Sequence, residues 1–493
     1  MRHRIASPKA FLNYDRTVVV ILVTLCIAIY HKVGTLEYVF DDKPAIVNNK
    51  FVQKGIKGIP DLLTTTLWRG DESRGTAIEA YRPLTMITFA IDYELFGLNP
   101  GPFHWVQLFI YISLCIFSYA TLRTLLSEDK KSIALLSSII FAIHPVHTEV
   151  VCNLKSRDEL LSLFFSIIAL YNTALHIKTA SAKHKYLSAF FLTLGLFSKE
   201  TAVVFLGIIP LTYYFFSQAR FIEIGKNLIP LFIGFTIFMG ARQWVLSNEK
   251  LPWVAITVFQ NPLFLAETWS KKWGTISYIN GKYLQLMIFP YQLTFSYFYD
   301  DIPIIEIFHW KSILSVLAYA LMIFYVIKNF KSKDLTVYGL LCYFAGLSIF
   351  SHVIIPFVNA MGERLAFTMS WGWCLFLGAF FFKIISSKFI KPNYKFGTMI
   401  LMIILLIFFA NKSYSRVPVW KSNLILAKTD EAVSPKSFFI NRLLGNYYCY
   451  HSIRLRNQAT LSNAEKYRTL FNSNRSLASF VPYYKRLVIT NKR

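Results

Sequence analysis

The chain contains 493 residues, of which 55% are hydrophobic and only 16% are charged, and its mean hydropathy is +0.43. Soluble domains carry about a quarter charged residues, so this composition excludes an ordinary soluble protein and indicates a lipid environment. A net charge of +25 would favour nucleic-acid binding in a soluble protein, but here it indicates basic cytoplasmic loops, and we expect no nucleic-acid partner.

Long apolar runs recur along the whole chain. The run at residues 186–216 is interrupted by Ser198-Lys199-Glu200, which predicts two helices that meet at a charged turn, and the short run at 133–143 ends at His144-Pro145. Residues 276–290 fit either a span or a re-entrant or interfacial helix. Eight further runs, with their flanks, mostly reach the about 17–25 residues that span a bilayer: 18–30, 108–126, 160–174, 228–239, 313–327, 335–350, 365–382 and 398–410. Because backbone groups in lipid must bond within their own segment, we predict an all-α polytopic membrane protein with about 11 transmembrane helices, one of them uncertain.

Lysine and arginine cluster in alternate loops. The clusters are residues 2–16, 123–131, 178–185, 220–226, 328–333 and 383–395. Positively charged loops stay in the cytoplasm, so the N-terminus is predicted to be cytoplasmic. The loops 37–103, 145–159, 247–309 and 353–364, and the tail after residue 411, are then predicted to lie outside.

Two parts are predicted along the chain. Residues 1–411 form a transmembrane domain whose first external loop is 37–103, and residues 412–493 form a basic external helical segment with 15 Lys or Arg against three acids. Short helices are predicted there at 421–431, 437–454 and 463–470. Such a segment could rest on anionic membrane lipid, bind an acidic glycan or partner, or be a solvated tail.

Candidate catalytic residues begin with Asp41 and Asp42, just after the first span. One of two adjacent carboxylates could deprotonate an acceptor hydroxyl while its neighbour tunes or positions it. The pair could also bind a divalent cation, or simply end a helix or a turn.

Five other ionisable residues fall on the same predicted side. Arg82, in Tyr81-Arg82-Pro83, could bind a phosphate or pair with Asp41, Asp42 or Glu79. Lys199-Glu200 and Glu363-Arg364 could be self-satisfied ion pairs, or Lys199 and Arg364 could face a lipid phosphate or pyrophosphate with Glu200 and Glu363 as orienting partners.

The densest polar cluster is His144-Pro145-Val146-His147-Thr148-Glu149, followed by Arg157-Asp158-Glu159. The spacing of His144, His147 and Glu149 allows a zinc site, but Pro145 breaks the helical face that such a site needs. We therefore expect these three side chains to line a polar site with no metal, and Arg157 to meet a phosphate.

These motifs together resemble the tetratricopeptide-containing transmembrane O-mannosyltransferases and their bacterial relatives, which have the GT-C glycosyltransferase fold. The similar segments are Phe40-Asp41-Asp42 with Asn48-Asn49, Tyr81-Arg82-Pro83-Leu84-Thr85, residues 141–149, Arg157, Ser198-Lys199-Glu200, Leu293-Thr294 and Glu363-Arg364-Leu365. They cover roughly residues 37–365 in order.

The resemblance implies a GT-C-like helix bundle that takes sugar from a polyprenyl- or dolichyl-phosphate donor on the non-cytoplasmic face. It implies Asp41 as catalytic base, with Asp42 as the second choice. Arg157 and Lys199 would be the first phosphate-binding residues, and Arg82 and Arg364 the second. Because cationic side chains can stabilise the phosphate leaving group, no cofactor is expected, although a divalent cation is possible.

Two departures from the family bear on the acceptor. The family's Gly-Arg-Ala-Asp is Ser156-Arg157-Asp158-Glu159 here, and only about 80 residues follow the last predicted span, so we expect this chain to lack the repeat array. We expect mannose or another hexose to be moved to a hydroxyl, with protein Ser/Thr favoured. The alternatives are a glycan- or lipid-modifying envelope enzyme, a lipid-linked-sugar transporter and an inactive scaffold. The composition favours a bacterial inner membrane with a periplasmic active site, and the alternative is the endoplasmic reticulum membrane.

Overall fold

The computed structural model describes residues 8–71, 80–249, 261–297, 301–354 and 356–455, and every regular element in these ranges is a helix. The all-α prediction is therefore confirmed. The α-helices are α1 (Pro8–Tyr30), α2 (Ile59–Thr64), α3 (Pro83–Phe96), α4 (Pro100–Leu125), α5 (Lys131–Ile143), α6 (Thr148–Cys152), α7 (Arg157–Thr179), α8 (Ala182–Ser198), α9 (Phe205–Phe216), α10 (Phe221–Asn248), α11 (Trp269–Ile288), α12 (Trp310–Asn329), α13 (Leu335–Ser348), α14 (Phe367–Ser386), α15 (Pro392–Arg416), α16 (Asn423–Glu431) and α17 (Phe438–Leu455).

The chain is a multi-pass membrane protein. Seven helical segments in the described residues are long and apolar enough to cross a bilayer: Asp15–Thr35, Pro100–Leu125, Leu154–Thr179, Phe221–Asn248, Trp310–Ser332, Arg364–Ser386 and Pro392–Lys421. An eighth results if Glu128–Ile143 and Pro145–Cys152, which bend by 49°, form one span. The other predicted runs lie in the shorter helices α8, α9 and α13, so the number of about eleven stays a prediction.

Helix breaks occur where the sequence predicts them. The run at 186–216 divides into α8 and α9, with Lys199 extended between them at φ −163° and ψ 147°. His144 is also extended before Pro145, because a residue that precedes proline avoids the helical region. The ambiguous residues 276–290 fall largely in α11, which is not among the seven long apolar segments.

Helices α7 and α14 form the centre of the bundle, and most of their side chains are buried. By contrast, α12 and α15 expose rows of leucine and isoleucine, such as Leu317 and Leu321 on α12 and Ile403 and Ile407 on α15. Exposed apolar rows of this kind suit contact with lipid chains.

Two smaller hydrophobic cores lie outside the bundle core. The segment between α1 and α4, residues 31–99, is called the α1–α4 loop; it buries Ile46, Leu62, Trp68 and Phe89 together with Leu154. The C-terminal helices pack through Ala427, Ile440 and Leu444, with Phe295 against them. The predicted helices at 421–431 and 437–454 correspond to α16 and α17, whereas the one predicted at 463–470 lies outside the described residues.

Candidate functional site

Asp41 and Asp42 occupy different environments in the α1–α4 loop. The side chain of Asp41 is 27% exposed, and its Oδ2 lies 3.9 Å from Nη1 of Arg364. Asp42 is completely buried: its Oδ2 accepts the backbone N–H of Val39 at 2.9 Å and its Oδ1 accepts that of Lys155 at 2.6 Å. Asp41 is thus the carboxylate that an incoming hydroxyl could reach, and Asp42 shapes the loop.

Burial raises the pKa of Asp42 to about 7, although the backbone N–H groups of Val39 and Lys155 act in the opposite direction. The neighbouring Asp41 raises it further, because one negative charge disfavours another nearby. The charge on Asp42, which lies next to Asp41, therefore changes near neutral pH, although Asp42 does not face solvent.

Arg364 connects Asp41 with Glu149 on α6. Its side chain is 20% exposed, its Nη1 lies 3.6 Å from Oε1 of Glu149, and its backbone N–H donates to Oε2 of Glu149 at 2.9 Å. Glu149 is buried and therefore orients Arg364, whose charge interacts with both Asp41 and Asp158.

Three cations surround one buried carboxylate, Asp158. Nη1 of Arg82 lies 2.6 Å from Oδ2, Nζ of Lys155 lies 3.0 Å from Oδ2, and Nζ of Lys199 lies 3.4 Å from Oδ1. Asp158 is fully buried, whereas the side chain of Arg82 is 14% exposed. This group of Arg82, Lys155, Lys199 and Asp158 is called the cation cluster below.

Two glutamates complete the cation cluster's charge balance. Glu200 is 35% exposed and its Oε2 accepts Nε of Arg82 at 3.1 Å, while Oε1 of Glu159 lies 2.6 Å from Nζ of Lys199. Burial alone would lower the pKa of Arg82, but Glu200, Asp158 and Glu159 hold it above its ordinary value. Lysine and arginine carry three and five N–H donors, so the cluster can bind an anionic oxygen while Asp158 holds it together.

Arg157 lies apart from the cation cluster, although it is adjacent to Asp158 in the chain. Its guanidinium is completely buried; it contacts Oδ2 of Asp92 at 2.5 Å, Oε1 of Gln107 at 3.1 Å and the carbonyl of Phe103 at 2.9 Å. It also stacks on the Phe89 ring, 4.6 Å from the ring centroid. This geometry weighs against direct phosphate contact and gives Arg157 a role in fixing α3 and α4 to α7.

His144 and His147 are completely buried. Nε2 of His144 lies 3.2 Å from the carbonyl of Met287, and the two ring nitrogens of His147 lie 2.7 Å from Oγ of Ser370 and 2.9 Å from the hydroxyl of Tyr111. These side chains support the turn that leads to Glu149 and do not reach an open surface. Among the described residues, no group of three or more His, Cys, Asp or Glu side chains could hold a metal ion.

Glu363 is also completely buried. Its Oε1 accepts the backbone N–H of Thr294 at 2.5 Å and the hydroxyl of Tyr297 at 3.1 Å. Burial raises the pKa of Glu363 to about 8, against the lowering influence of Arg416. Glu363 therefore fixes the 293–297 segment next to the backbone of Arg364, and it does not face solvent.

Sequence reasoning missed Lys155 and the central role of Asp158. A signal existed, because a lysine between buried residues at a helix break is costly unless it is paired. The spacing of three residues between Lys155 and Asp158 would have suggested the pair.

Comparisons with known proteins agree with the motifs. The dolichyl-phosphate-mannose-protein mannosyltransferase family matches residues 82–244. Protein O-mannosyl-transferase F38B6.6 of Caenorhabditis elegans is 27% identical over 428 residues, 86% of this chain and 59% of its own length. Protein O-mannosyl-transferase TMTC3 of Mus musculus is 25% identical over 76% of this chain and 43% of its own length, and TMTC4 of Homo sapiens is 25% identical over 83% and 61%. The chain thus spans roughly half the length of the curated relatives it matches.

Proposed function

We propose that this chain, whose resemblance to GT-C fold glycosyltransferases is confirmed by those comparisons, is a glycosyltransferase. It moves mannose or another hexose from a polyprenyl- or dolichyl-phosphate donor to a protein Ser or Thr hydroxyl on the non-cytoplasmic face. One observation carries the proposal: the accessible carboxylate of Asp41 faces Arg364, and its neighbour Asp42 is hydrogen-bonded to the backbone of Lys155 in the cation cluster.

In the proposed reaction, Asp41 accepts the proton of the acceptor hydroxyl while that oxygen attacks the anomeric carbon of the sugar. The bond from the anomeric carbon to the phosphate oxygen breaks, and the electron pair leaves with the lipid phosphate. A single displacement inverts the anomeric configuration. Positioned cations stabilise the charge that develops on the leaving phosphate, which is the role we assign to Arg82, Lys155, Lys199 and Arg364.

The other candidate residues support this arrangement. Asp42 fixes the loop that bears Asp41, and Glu149 and Glu200 orient Arg364 and Arg82 through the contacts described above. Arg157, His144, His147 and Glu363 hold the framework from buried positions. Because four side-chain cations already face the leaving group in this scheme, we expect turnover to continue in the presence of a chelator.

The test uses purified full-length protein in lipid nanodiscs with polyprenyl-phosphate mannose and a Ser/Thr-rich peptide. Asp41→Asn is the test variant, and Asp61→Asn is the control because Asp61 lies in the same loop but pairs with Lys54 at the surface. Transfer by the wild type and by Asp61→Asn, but not by Asp41→Asn, supports the proposal. Equal transfer by all three excludes Asp41 as the base.

Absence of transfer to peptide would redirect the assay toward a glycan or lipid acceptor. Movement of labelled donor across vesicles without an acceptor would indicate a transporter instead. The compartment is tested with the native host, where a tag next to Asp61 should be accessible from the periplasm or from the lumen of the endoplasmic reticulum.

A further inference from the structure

The segment after α15 folds back onto the residues that precede Asp41. The backbone N–H of Glu37 donates to the carbonyl of Lys421 at 3.0 Å. The backbone N–H of Phe40 donates to Oδ1 of Asn423 at 2.9 Å, across 383 positions of sequence. The chain immediately before the proposed base is therefore held by the C-terminal segment.

Phe40 has an unusual backbone conformation, with φ at +41°. Bulky residues seldom adopt the left-handed region, and they remain there only when surrounding contacts enforce it. The turn that results lets the N–H of Asp42 donate to the carbonyl of Val39 at 2.9 Å. The direction in which Asp41 points thus depends on the contacts that maintain Phe40.

Aromatic packing supplies the second restraint on Phe40. Its ring centroid lies 4.5 Å from that of Phe295 and 6.0 Å from that of Phe439 on α17, and the last two rings are 5.8 Å apart. Ring pairs at these separations attract one another. The three rings join the α1–α4 loop, the 293–297 segment and α17.

A buried ion pair fixes the C-terminal helices beneath these contacts. Arg416 at the end of α15 binds both carboxylate oxygens of Asp430 on α16, at 2.6 and 2.9 Å. Oδ2 of Asp430 also accepts the N–H of Phe295 at 2.8 Å. A bidentate pair of this kind defines orientation as well as distance.

We propose that α16 and α17 form a positioning element for Asp41, in which Asn423 and Phe439 hold Phe40 in its left-handed conformation and so keep the Asp41 carboxylate opposite Arg364. This inference rests on the proposed function only in treating Asp41 as the base. It gives the C-terminal segment a role in the site that a solvated tail would not have.

The test replaces the restraints on Phe40 in the full-length protein. Asn423→Ala removes the oxygen that accepts the Phe40 N–H, whereas Asn423→Asp retains an acceptor. Ile425→Ala is the matched control, because Ile425 is an exposed side chain on the same helix. Hydrogen exchange of residues 37–48 is measured with exchange of α7 as the reference for global unfolding, and kcat and donor KM are measured for mannosyl transfer.

Asn423→Ala should raise exchange in residues 37–48 and lower kcat, each by roughly tenfold, the equivalent of one lost hydrogen bond. Donor KM and α7 exchange should stay near their wild-type values, and Asn423→Asp should restore both readouts. Unchanged exchange in residues 37–48 would overturn the proposal whatever the activity. If Asn423→Ala increases exchange in residues 37–48 but the wild type itself transfers no mannose, the positioning element is upheld and the proposed function is refuted.

A second pair keeps the test decisive if Asn423→Ala does not fold. Phe439→Tyr retains the ring and Phe439→Ala removes it, so only the latter should increase exchange in residues 37–48 and reduce kcat. Identical behaviour of the two variants would contradict the role of Phe439.

Discussion

The backbone N–H of Lys155 donates a 2.6 Å hydrogen bond to Oδ1 of Asp42, and this bond joins segments 113 residues apart. Asp42 therefore fixes the distance between the segment that bears Asp41 and Lys155, the first residue of the cation cluster. A buried carboxylate that accepts hydrogen bonds from two backbone N–H groups has little freedom to move. Asp42 thus holds Asp41 and the cation cluster together without taking part in the proposed reaction.

Substitution of Asp41 and of Asp42 should have different consequences. Asp41→Asn removes the base and should lower kcat by roughly 10²-fold or more, while the melting temperature stays near that of the wild type. Asp42→Asn places an NH2 group against a backbone N–H donor and should cost about 1–3 kcal/mol of stability. Transfer assays and thermal unfolding in nanodiscs measure both effects. A loss of stability in Asp41→Asn equal to that in Asp42→Asn would contradict the division of roles.

Lys155 should contribute to donor binding. Lys155→Met removes one cation from the phosphate-binding group, and loss of a charged hydrogen bond of about 2 kcal/mol corresponds to a roughly 30-fold rise in donor KM. Steady-state transfer at varied donor concentration measures this. The control is Lys54→Met, because Lys54 lies on the same loop face as Asp61 and is exposed. Equal donor KM values for the two variants would remove Lys155 from the donor site.

Helices and their breaks were predictable because they depend on local sequence. Lys199 between α8 and α9, and His144 before Pro145, interrupt apolar runs where the structure also has extended backbone. The exact number of spans was not accessible from hydropathy, because α8, α9 and α13 are short and α11 contains Lys271, Lys272 and Lys282. Their depth depends on packing against neighbouring helices.

Partners distant in sequence explain why the roles within the site were harder to predict. Arg157 was predicted to bind phosphate, but its pair is Asp92, 65 residues earlier, and this contact is visible only after α3 packs against α7. Lys155 was not predicted because Arg157, two positions later, is the residue shared with the family motif. Lys155 lies in the short turn Leu154–Ser156 and Arg157 begins α7, so two cations that are close in sequence can face different environments.

The Arg157–Asp92 pair provides a test of that structural role. Asp92→Asn leaves a buried guanidinium without its counter-charge, which typically costs about 3–5 kcal/mol of stability. We expect a strong fall in melting temperature with donor KM unchanged in the folded fraction. Glu94→Gln is the control on the same helix, since Oε2 of Glu94 accepts only the exposed Ile56 N–H among the contacts described. A lower donor KM in Asp92→Asn would indicate instead that Arg157 binds phosphate once it is released from Asp92.

Glu363 should make stability depend on pH. Its pKa is raised by burial from the ordinary 4.5 to about 8, so the folded state holds a proton that the unfolded state releases between these values. The contribution of Glu363 to stability is therefore fully present below pH 4.5 and is lost as the pH rises towards 8. Oε2 of Glu363 has no hydrogen-bond partner among the described residues, while Oε1 accepts two donors.

Glu363→Gln keeps an oxygen for Thr294 and Tyr297 but cannot become charged. We expect it to be more stable than the wild type at pH 8, similar at pH 5, and to show a flatter pH profile between them. Melting temperatures at half-unit pH intervals measure the effect, with Glu431→Gln on α16 as the control. A wild-type profile that keeps its slope in Glu363→Gln would assign the pH dependence to another group, with Asp42 as the next to test because burial also raises its pKa.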